Sequence, residues 1–214
     1  MLILGHAGIT LGTAVLFNTA LIKSGLLPVA ENKPGEQQSD SLPASPGKVP
    51  LTLKRLSWFT ALAGRIDIRI LLVGSLLPDI IDKPIGQLWL RGVLDNGRIF
   101  CHTLLFLIII TLIGLYIFRT RHKNWLLVLS GGVFIHLILD RMWLVPVTLL
   151  WPVYGFAFPR LEDFTCWLNF ILYGLFNNPA VYIPEIIGAV ILVCFTASLV
   201  KRRKVRSFIT NGQI

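Results

Sequence analysis

GGVFIHLILD, residues Gly131–Asp140, places a histidine and an aspartate one helical turn apart inside the apolar run Trp125–Leu150. His136 and Asp140 are four residues apart, so in a helix both side chains project from the same face. An ionisable side chain inside a bilayer is costly and tends to face a partner or a cavity. The meaning of this pair therefore depends on where the other polar residues of the apolar runs fall.

The composition indicates an integral membrane protein. Of 214 residues, 54% are hydrophobic and only 14% are charged, whereas a soluble domain carries about 25% charged residues. The net charge of +9 comes from basic residues in short loops and at the tail, a pattern that sets membrane orientation and argues against a nucleic-acid partner. The three cysteines have no paired spacing, so they predict neither a disulfide framework nor a CxxC metal site. We predict an all-α, polytopic bundle that forms one domain over residues 1–214 in a prokaryotic inner membrane.

Five apolar segments are long enough, alone or with their flanks, to cross a bilayer as helices. They are Leu2–Ile22, Ile66–Ile81 with a backward extension through Trp58–Ala63, Ile99–Phe118, Trp125–Leu150 and Val181–Val200. The apolar segment Phe164–Phe176 is too short to cross and is expected at the interface. Residues 24–54, between the first two segments, are rich in Pro, Ser and Gly and predict a flexible loop.

Lysine and arginine residues predict the orientation of this bundle. They concentrate after the first, third and fifth segments, and these three regions can all be cytoplasmic together. The N-terminus is then outside, the basic tail 201–214 is inside, and the loops 82–98 and 151–180 face outward.

In this frame, ionisable residues from all five segments fall in the outer half of the bilayer. They are His6, Asp79, Asp82, His102, His136, Asp140 and Glu185. The remaining histidine, His122, lies in a basic cytoplasmic loop. Imidazole and carboxylate ligands together suit zinc, manganese or iron, so this one-sided distribution predicts a shared metal site.

Each of these residues also has a structural alternative. A histidine inside a membrane commonly hydrogen-bonds to a neighbouring helix, and Glu185 could lie at the membrane surface. Asp82 could form an ion pair with Lys83, and Asp140 with a nearby arginine such as Arg98. The alternatives stay open for each residue alone, whereas the common location of the set favours a metal site.

Four sequence blocks resemble the YdjM-type family of membrane-bound metal-dependent hydrolases. They are GHAGIT around His6, GSLLPDIIDKP around Asp79 and Asp82, GRIFCHTLLF around His102, and GGVFIHLILD followed by LLWPVYG. The ligand pattern of that family is in turn similar to those of zinc-dependent phospholipase C and P1-type nucleases. The resemblance implies a metal centre and hydrolysis, with a phosphoester as the expected substrate.

The resemblance also implies which residues hold the metal. Carried over by position, the ligands are His6, Asp79, His102, His136 and Asp140, and they would hold one or more divalent ions, with zinc favoured over manganese or iron. The family block commonly has PD-x-D followed closely by histidine. Here it is PDIID followed by lysine, and this departure leaves the number of ions open.

Three further residues are candidates for the chemistry. Asp82 or Glu185 could take the proton from the attacking water, and Asp82 could instead bridge ions or orient a ligand. Arg98, one turn before His102, could hold a phosphate by two parallel hydrogen bonds, or could contact lipid headgroups. The expected partners are membrane lipids, and the expected substrate is a phospholipid, an isoprenoid phosphate or another lipid-linked ester in the outer leaflet.

Two other classes of function use the same residues. A metal-ion transporter would need polar residues that continue to the cytoplasmic side, and the inner halves of the last three segments carry almost none. A non-catalytic membrane scaffold would keep a structural metal in a closed site, whereas an enzyme would keep an open coordination position. The sequence predicts no oligomeric state.

Overall fold

The structure, a computed structural model, describes residues 2–23, 66–90, 96–159 and 173–212. The loop predicted over residues 24–54 lies outside these residues, as does most of the interfacial segment predicted at Phe164–Phe176. The chain divides into two compact units. Residues 1–14 and 66–214 form the unit that contains every candidate site residue. Residues 15–65 form the other unit, of which the structure describes residues 15–23, the end of the first helix.

All secondary structure in the described residues is helical, as predicted. The α-helices are α1 (Ile3–Lys23), α2 (Ile68–Pro84), α3 (Leu104–Arg121), α4 (Trp125–Leu139), α5 (Pro146–Leu149), α6 (Pro179–Lys201) and α7 (Val205–Asn211). A π-helical turn, Ile85–Trp89, continues α2. Two 3-10 turns, Phe100–His102 and Met142–Leu144, precede α3 and follow α4.

Three of these helices, α1, α3 and α6, are long and apolar enough to cross a membrane. Helix α4 is shorter, with 15 residues, which corresponds to about 22 Å at ~1.5 Å per residue. Large apolar side chains such as Ile109, Leu112 and Val193 are exposed on the outside of α3 and α6, as expected of helices surrounded by lipid. The chain is thus a multi-pass helical membrane protein, while the five crossings and their orientation stay predictions.

Helix α4 ends at Leu139, earlier than the predicted end at Leu150. Pro146 has no N–H and its ring would clash with the carbonyl of Met142, so the helix cannot run through this segment. The chain turns instead at Arg141, which has a left-handed backbone conformation with φ of 53°. Asp140 therefore caps the end of the helix rather than lying inside it.

Helix α3 begins at Leu104, later than the predicted start at Ile99. The backbone N–H of Ile99 donates a hydrogen bond to the buried carboxylate of Asp82, at 2.9 Å, so the segment before the helix is held by a side chain of α2. The helix then starts regularly, because Thr103 Oγ1 accepts a hydrogen bond from the N–H of Phe106 at 3.1 Å.

Helices α2 and α4 pack closely because glycine lies at their contact. A Cβ atom on Gly132 would overlap the carbonyl oxygen of Leu71, and one on Gly74 would overlap the carbonyl oxygen of Leu129. Small residues allow helix backbones in a membrane to approach in this way. The close approach brings His136, one turn after Gly132, against the backbone of α2.

The C-terminal segment packs against the start of α2. The carbonyl of Gly212 accepts a hydrogen bond from the N–H of Ile68 at 3.1 Å, and Arg69 donates to the carbonyl of Ile209. Arg69 also donates to Asp67, the N-terminal cap of α2.

Candidate metal centre

The five residues predicted as metal ligands lie together. Asp79 on α2, His102 at the end of a 3-10 turn, His136 on α4 and Asp140 after α4 present ligand atoms that all lie within 4.8 Å of one another. His6 on α1 joins them, because its Nε2 lies 3.2 Å from Asp140 Oδ1 and its ring stacks on His136 with centroids 4.4 Å apart. We call these five residues the metal cluster.

Each histidine of the metal cluster is oriented by a hydrogen bond from its Nδ1 to a protein oxygen. The acceptors are the carbonyl of Leu2 for His6 (2.9 Å), the carboxylate of Asp82 for His102 (2.7 Å) and the carbonyl of Ser75 for His136 (2.7 Å). Metal-binding histidines characteristically make such a bond, since it fixes the tautomer and leaves the Nε2 lone pair for the metal. Leu2 and Ser75 act through backbone carbonyls, so no sequence signal could have identified them.

The distances between ligand atoms fit one ion. The Nε2 atoms of His102 and His136 are 3.1 Å apart, and two lone pairs this close repel unless a proton or a metal ion lies between them. Asp79 Oδ1 is 3.6 and 3.9 Å from these nitrogens, and Asp140 Oδ2 is 3.9 and 4.0 Å from them. Ligands around a tetrahedral zinc ion are about 3.3 Å apart, so small movements would bring these four atoms within coordination distance of one ion.

The burial of the metal cluster supports the same conclusion. All five side chains belong to residues that are at most 8% exposed. Within the described part of the chain, Asp79 Oδ1 and His6 Nε2 are buried without a hydrogen-bond partner, although His6 Nε2 is only 3.2 Å from Asp140 Oδ1. Such atoms destabilise a folded protein when they stay unpaired. A divalent cation would give both atoms a partner, so the residues fit the implied metal.

Two cations flank the metal cluster. Lys83 Nζ lies 2.7 Å from Asp79 Oδ2, and Arg98 Nη2 lies 2.9 Å from Asp140 Oδ2. Their side chains are 30% and 38% exposed, respectively. The lysine thus pairs with Asp79, one turn back, a partner that the sequence alternatives did not name. The i, i+4 spacing of Asp79 and Lys83 could have predicted that Lys83 lies at the site.

Asp82 is fully buried and orients part of the site. Its carboxylate accepts hydrogen bonds from the backbone N–H groups of Ile99, Cys101 and His102 at 2.9 to 3.2 Å, in addition to the bond from the His102 ring. Of the roles that the sequence left open for Asp82, these contacts favour the orientation of a ligand over proton transfer or the bridging of ions.

Glu185 is also buried within the protein, at 6% exposure. One carboxylate oxygen accepts a hydrogen bond from the N–H of Leu2 at 2.6 Å, and the other accepts one from the N–H of Gly5 at 2.9 Å. Both oxygens are thus engaged by the backbone of α1, an arrangement that does not favour the proton-acceptor role predicted for this residue.

Comparison with known proteins assigns a family. A family model described as YdjM inner membrane protein matches residues 47–205, a range that contains every residue of the metal cluster except His6. No curated protein and no solved structure matches the chain significantly, and the similarity to phospholipase C and P1-type nucleases finds no support in these comparisons. The chain belongs to the YdjM inner membrane protein family and is a multi-pass protein of the inner membrane.

Proposed function

We propose that the chain is a metal-dependent hydrolase of the inner membrane whose substrate is a phosphoester carried on a lipid. The observation that supports this proposal most is the convergence of three Nε2 atoms and two carboxylates, with each Nδ1 held by a protein oxygen. Zinc is the ion that we expect, because it takes nitrogen and oxygen ligands at this spacing.

The residues of the chain have separate tasks in this proposal. A divalent ion, when bound, lowers the pKa of water and polarises a phosphoryl oxygen. Asp82 keeps His102 in the tautomer that can bind the ion, and Ser75 does the same for His136. Asp140 faces His6 with one oxygen and Arg98 with the other. It therefore connects the metal cluster to the partly exposed guanidinium of Arg98.

Arg98 supports a phosphoester as the substrate. Its Nη2 lies 2.9 Å from Asp140 Oδ2, and a guanidinium carries five N–H donors in a planar fork. The partly exposed side chain can therefore hold phosphate oxygens beside the metal cluster by parallel hydrogen bonds. Lys83 adds a second positive charge next to Asp79.

The surroundings of the site support a lipid as the carrier of that phosphate. Phe100, two residues before His102, packs against Trp151 and Phe158 with ring centroids 5.6 and 5.3 Å apart. Three further aromatic side chains close to Trp151 in the sequence have exposed fractions of 55% to 80%, namely Trp143, Tyr154 and Phe156. Aromatic residues of this kind concentrate at the membrane–water interface. With five crossings and the N-terminus outside, as the basic residues indicate, this interface is that of the outer leaflet.

A structural metal site is the second candidate function, and the burial of the whole metal cluster favours it. The two candidates differ in whether the ion keeps an open coordination position. Cobalt(II) substituted into the site would report this, because its visible absorption changes when an added ligand binds. A shift on addition of inorganic phosphate supports the hydrolase, and an unchanged spectrum supports the structural metal.

Hydrolysis itself can be tested with the full chain in proteoliposomes. Vesicles that contain phosphatidylglycerol or an isoprenoid phosphate would be incubated with zinc-loaded protein, and released phosphate and headgroup would be measured. We expect turnover that is lost in His136→Ala and kept in His122→Asn, a control that alters a histidine in the loop after α3. If the zinc-loaded protein hydrolyses none of these esters, the proposed substrate class is wrong.

A further inference from the structure

Helices α1 and α6 cross at a glycine contact. A Cβ atom on Gly8 would overlap the backbone of Gly188, and a Cβ atom on Gly188 would overlap the carbonyl oxygen of Leu4. A side chain at either position would thus separate the helices. This crossing is independent of the contact between α2 and α4, which carries most of the metal cluster.

Glu185 lies three residues before Gly188, beside this crossing. Its two carboxylate oxygens accept hydrogen bonds from the N–H groups of Leu2 and Gly5. The first N–H groups of a helix have no partner within the helix, and the positive end of the helix dipole favours an anion there. A buried carboxylate inside a membrane protein needs such partners. Glu185 therefore caps α1 from a different helix.

The capped turn of α1 is the turn that carries His6. Both the backbone N–H and the ring Nδ1 of His6 bond to the carbonyl of Leu2, at 3.2 and 2.9 Å, and Leu2 is one of the two residues that Glu185 holds. The ring then directs Nε2 toward Asp140 Oδ1. A continuous chain of bonds thus leads from Glu185 through Leu2 to His6 and the metal cluster.

We propose that Glu185 is a positioning residue that fixes the first turn of α1 on α6 so that His6 reaches the metal cluster. This inference rests on the proposed metal centre, because it assigns His6 to it as a ligand. It differs testably from the proton-acceptor role. Loss of a proton acceptor would slow turnover and leave metal binding intact, whereas loss of a positioning residue would remove the contribution of His6 to metal binding.

A double-mutant cycle on metal affinity separates these roles. Glu185→Ala should weaken zinc binding by about 10- to 100-fold, the range seen when a residue that orients a ligand is removed, and His6→Ala, which removes the ligand itself, should weaken it at least as much. If Glu185 acts through His6, the double variant binds zinc no more than about threefold more weakly than His6→Ala alone. Unchanged affinity in Glu185→Ala, or effects that multiply in the double variant, would overturn the proposal. Glu185→Gln, which keeps one acceptor oxygen, should fall between wild type and Glu185→Ala, and it serves if the alanine variant does not fold.

A cross-link between α1 and α6 tests the contact without any metal. A Cβ atom on Gly12 would lie 3.1 to 3.9 Å from side-chain atoms of Ile191, so these two positions are chosen for a pair of cysteines that can be tested for a disulfide. In a chain without its three native cysteines, we expect Glu185→Ala to lower cross-linking and His6→Ala to leave it unchanged. Equal cross-linking in Glu185→Ala and wild type would refute the positioning role. A wild-type protein that binds no metal would refute the proposed metal centre and, with it, the role of His6 as a ligand, while the cross-link would still report on Glu185.

Discussion

Asp82→Asn tests how far the metal cluster depends on the residue that orients His102. The substitution keeps the size of the side chain but replaces one acceptor oxygen by an NH₂ group. This group would face N–H groups that now donate hydrogen bonds to Asp82. Loss of the bond to the His102 ring should weaken zinc binding by about 10- to 100-fold, equivalent to about 1.4 to 2.8 kcal/mol. Backbone N–H groups left unpaired would each cost roughly 1–3 kcal/mol of folding free energy. A loss of two such bonds would lower the unfolding free energy by about 2–6 kcal/mol.

Both effects can be measured on protein purified in detergent. Competition with a chromophoric chelator gives the zinc affinity, and thermal unfolding gives the change in stability. Asp67→Asn is the matched control, because it makes the same change at the N-terminal cap of the same helix, where asparagine is also a good cap. We expect the control to bind zinc like wild type. A folded Asp82→Asn protein that binds zinc within about threefold of wild type would refute the orienting role.

Three further predictions concern packing, linkage and substrate binding. Gly132→Ala should lower the free energy of unfolding by about 1–3 kcal/mol or more. Gly131→Ala, whose Cβ would meet nothing closer than 3.7 Å, should unfold near the wild-type temperature. Equal melting temperatures in the two variants would contradict the close α2–α4 contact. Removal of zinc with a chelator should lower the melting temperature of wild type, by the equivalent of about 2.7 kcal/mol when free zinc is 100 times its Kd. The melting temperature of Asp140→Ala should not change. A shift of the same size in this variant would mean that zinc binds outside the metal cluster. Arg98→Lys should keep the zinc content but lower kcat/KM for a phosphoester by about tenfold, because lysine keeps the charge but lacks the planar set of N–H donors of the guanidinium. A wild-type kcat/KM in this variant would mean that the guanidinium does not hold the phosphate.

The residues of the metal cluster could be selected from the sequence because polar residues are rare in membrane-spanning helices. An ionisable side chain in an apolar membrane helix is costly unless it faces a partner or a cavity, so His136 and Asp140 differ clearly from their neighbours. Their i, i+4 spacing then fixed their common face without knowledge of the tertiary structure. His6 and Asp79 followed from their position in the outer halves of other segments. The structure brings all of them together.

The remaining features depend on tertiary contacts that hydropathy does not report. The early end of α4 at Leu139 is an exception, because Pro146 is a local signal within a run whose hydropathy stays high. The carbonyl of Ser75 is one of many identical acceptors in the chain, and only the packing of α2 on α4 selects it. The role of Glu185 depends on the crossing of α1 and α6. The sequence left open whether this carboxylate is buried, and it did not indicate which helix Glu185 would cap.

The most direct test of the central claim is the metal content of the purified protein, measured by elemental mass spectrometry beside His136→Ala, Asp140→Ala and the control His122→Asn. The account predicts near-stoichiometric zinc, manganese or iron in wild type and in the control, and its loss from the two cluster variants while they stay folded. A wild-type protein that contains no metal, and takes up none when zinc, manganese or iron is supplied, would contradict the account. His136 and Asp140 would then be a polar pair that joins helices.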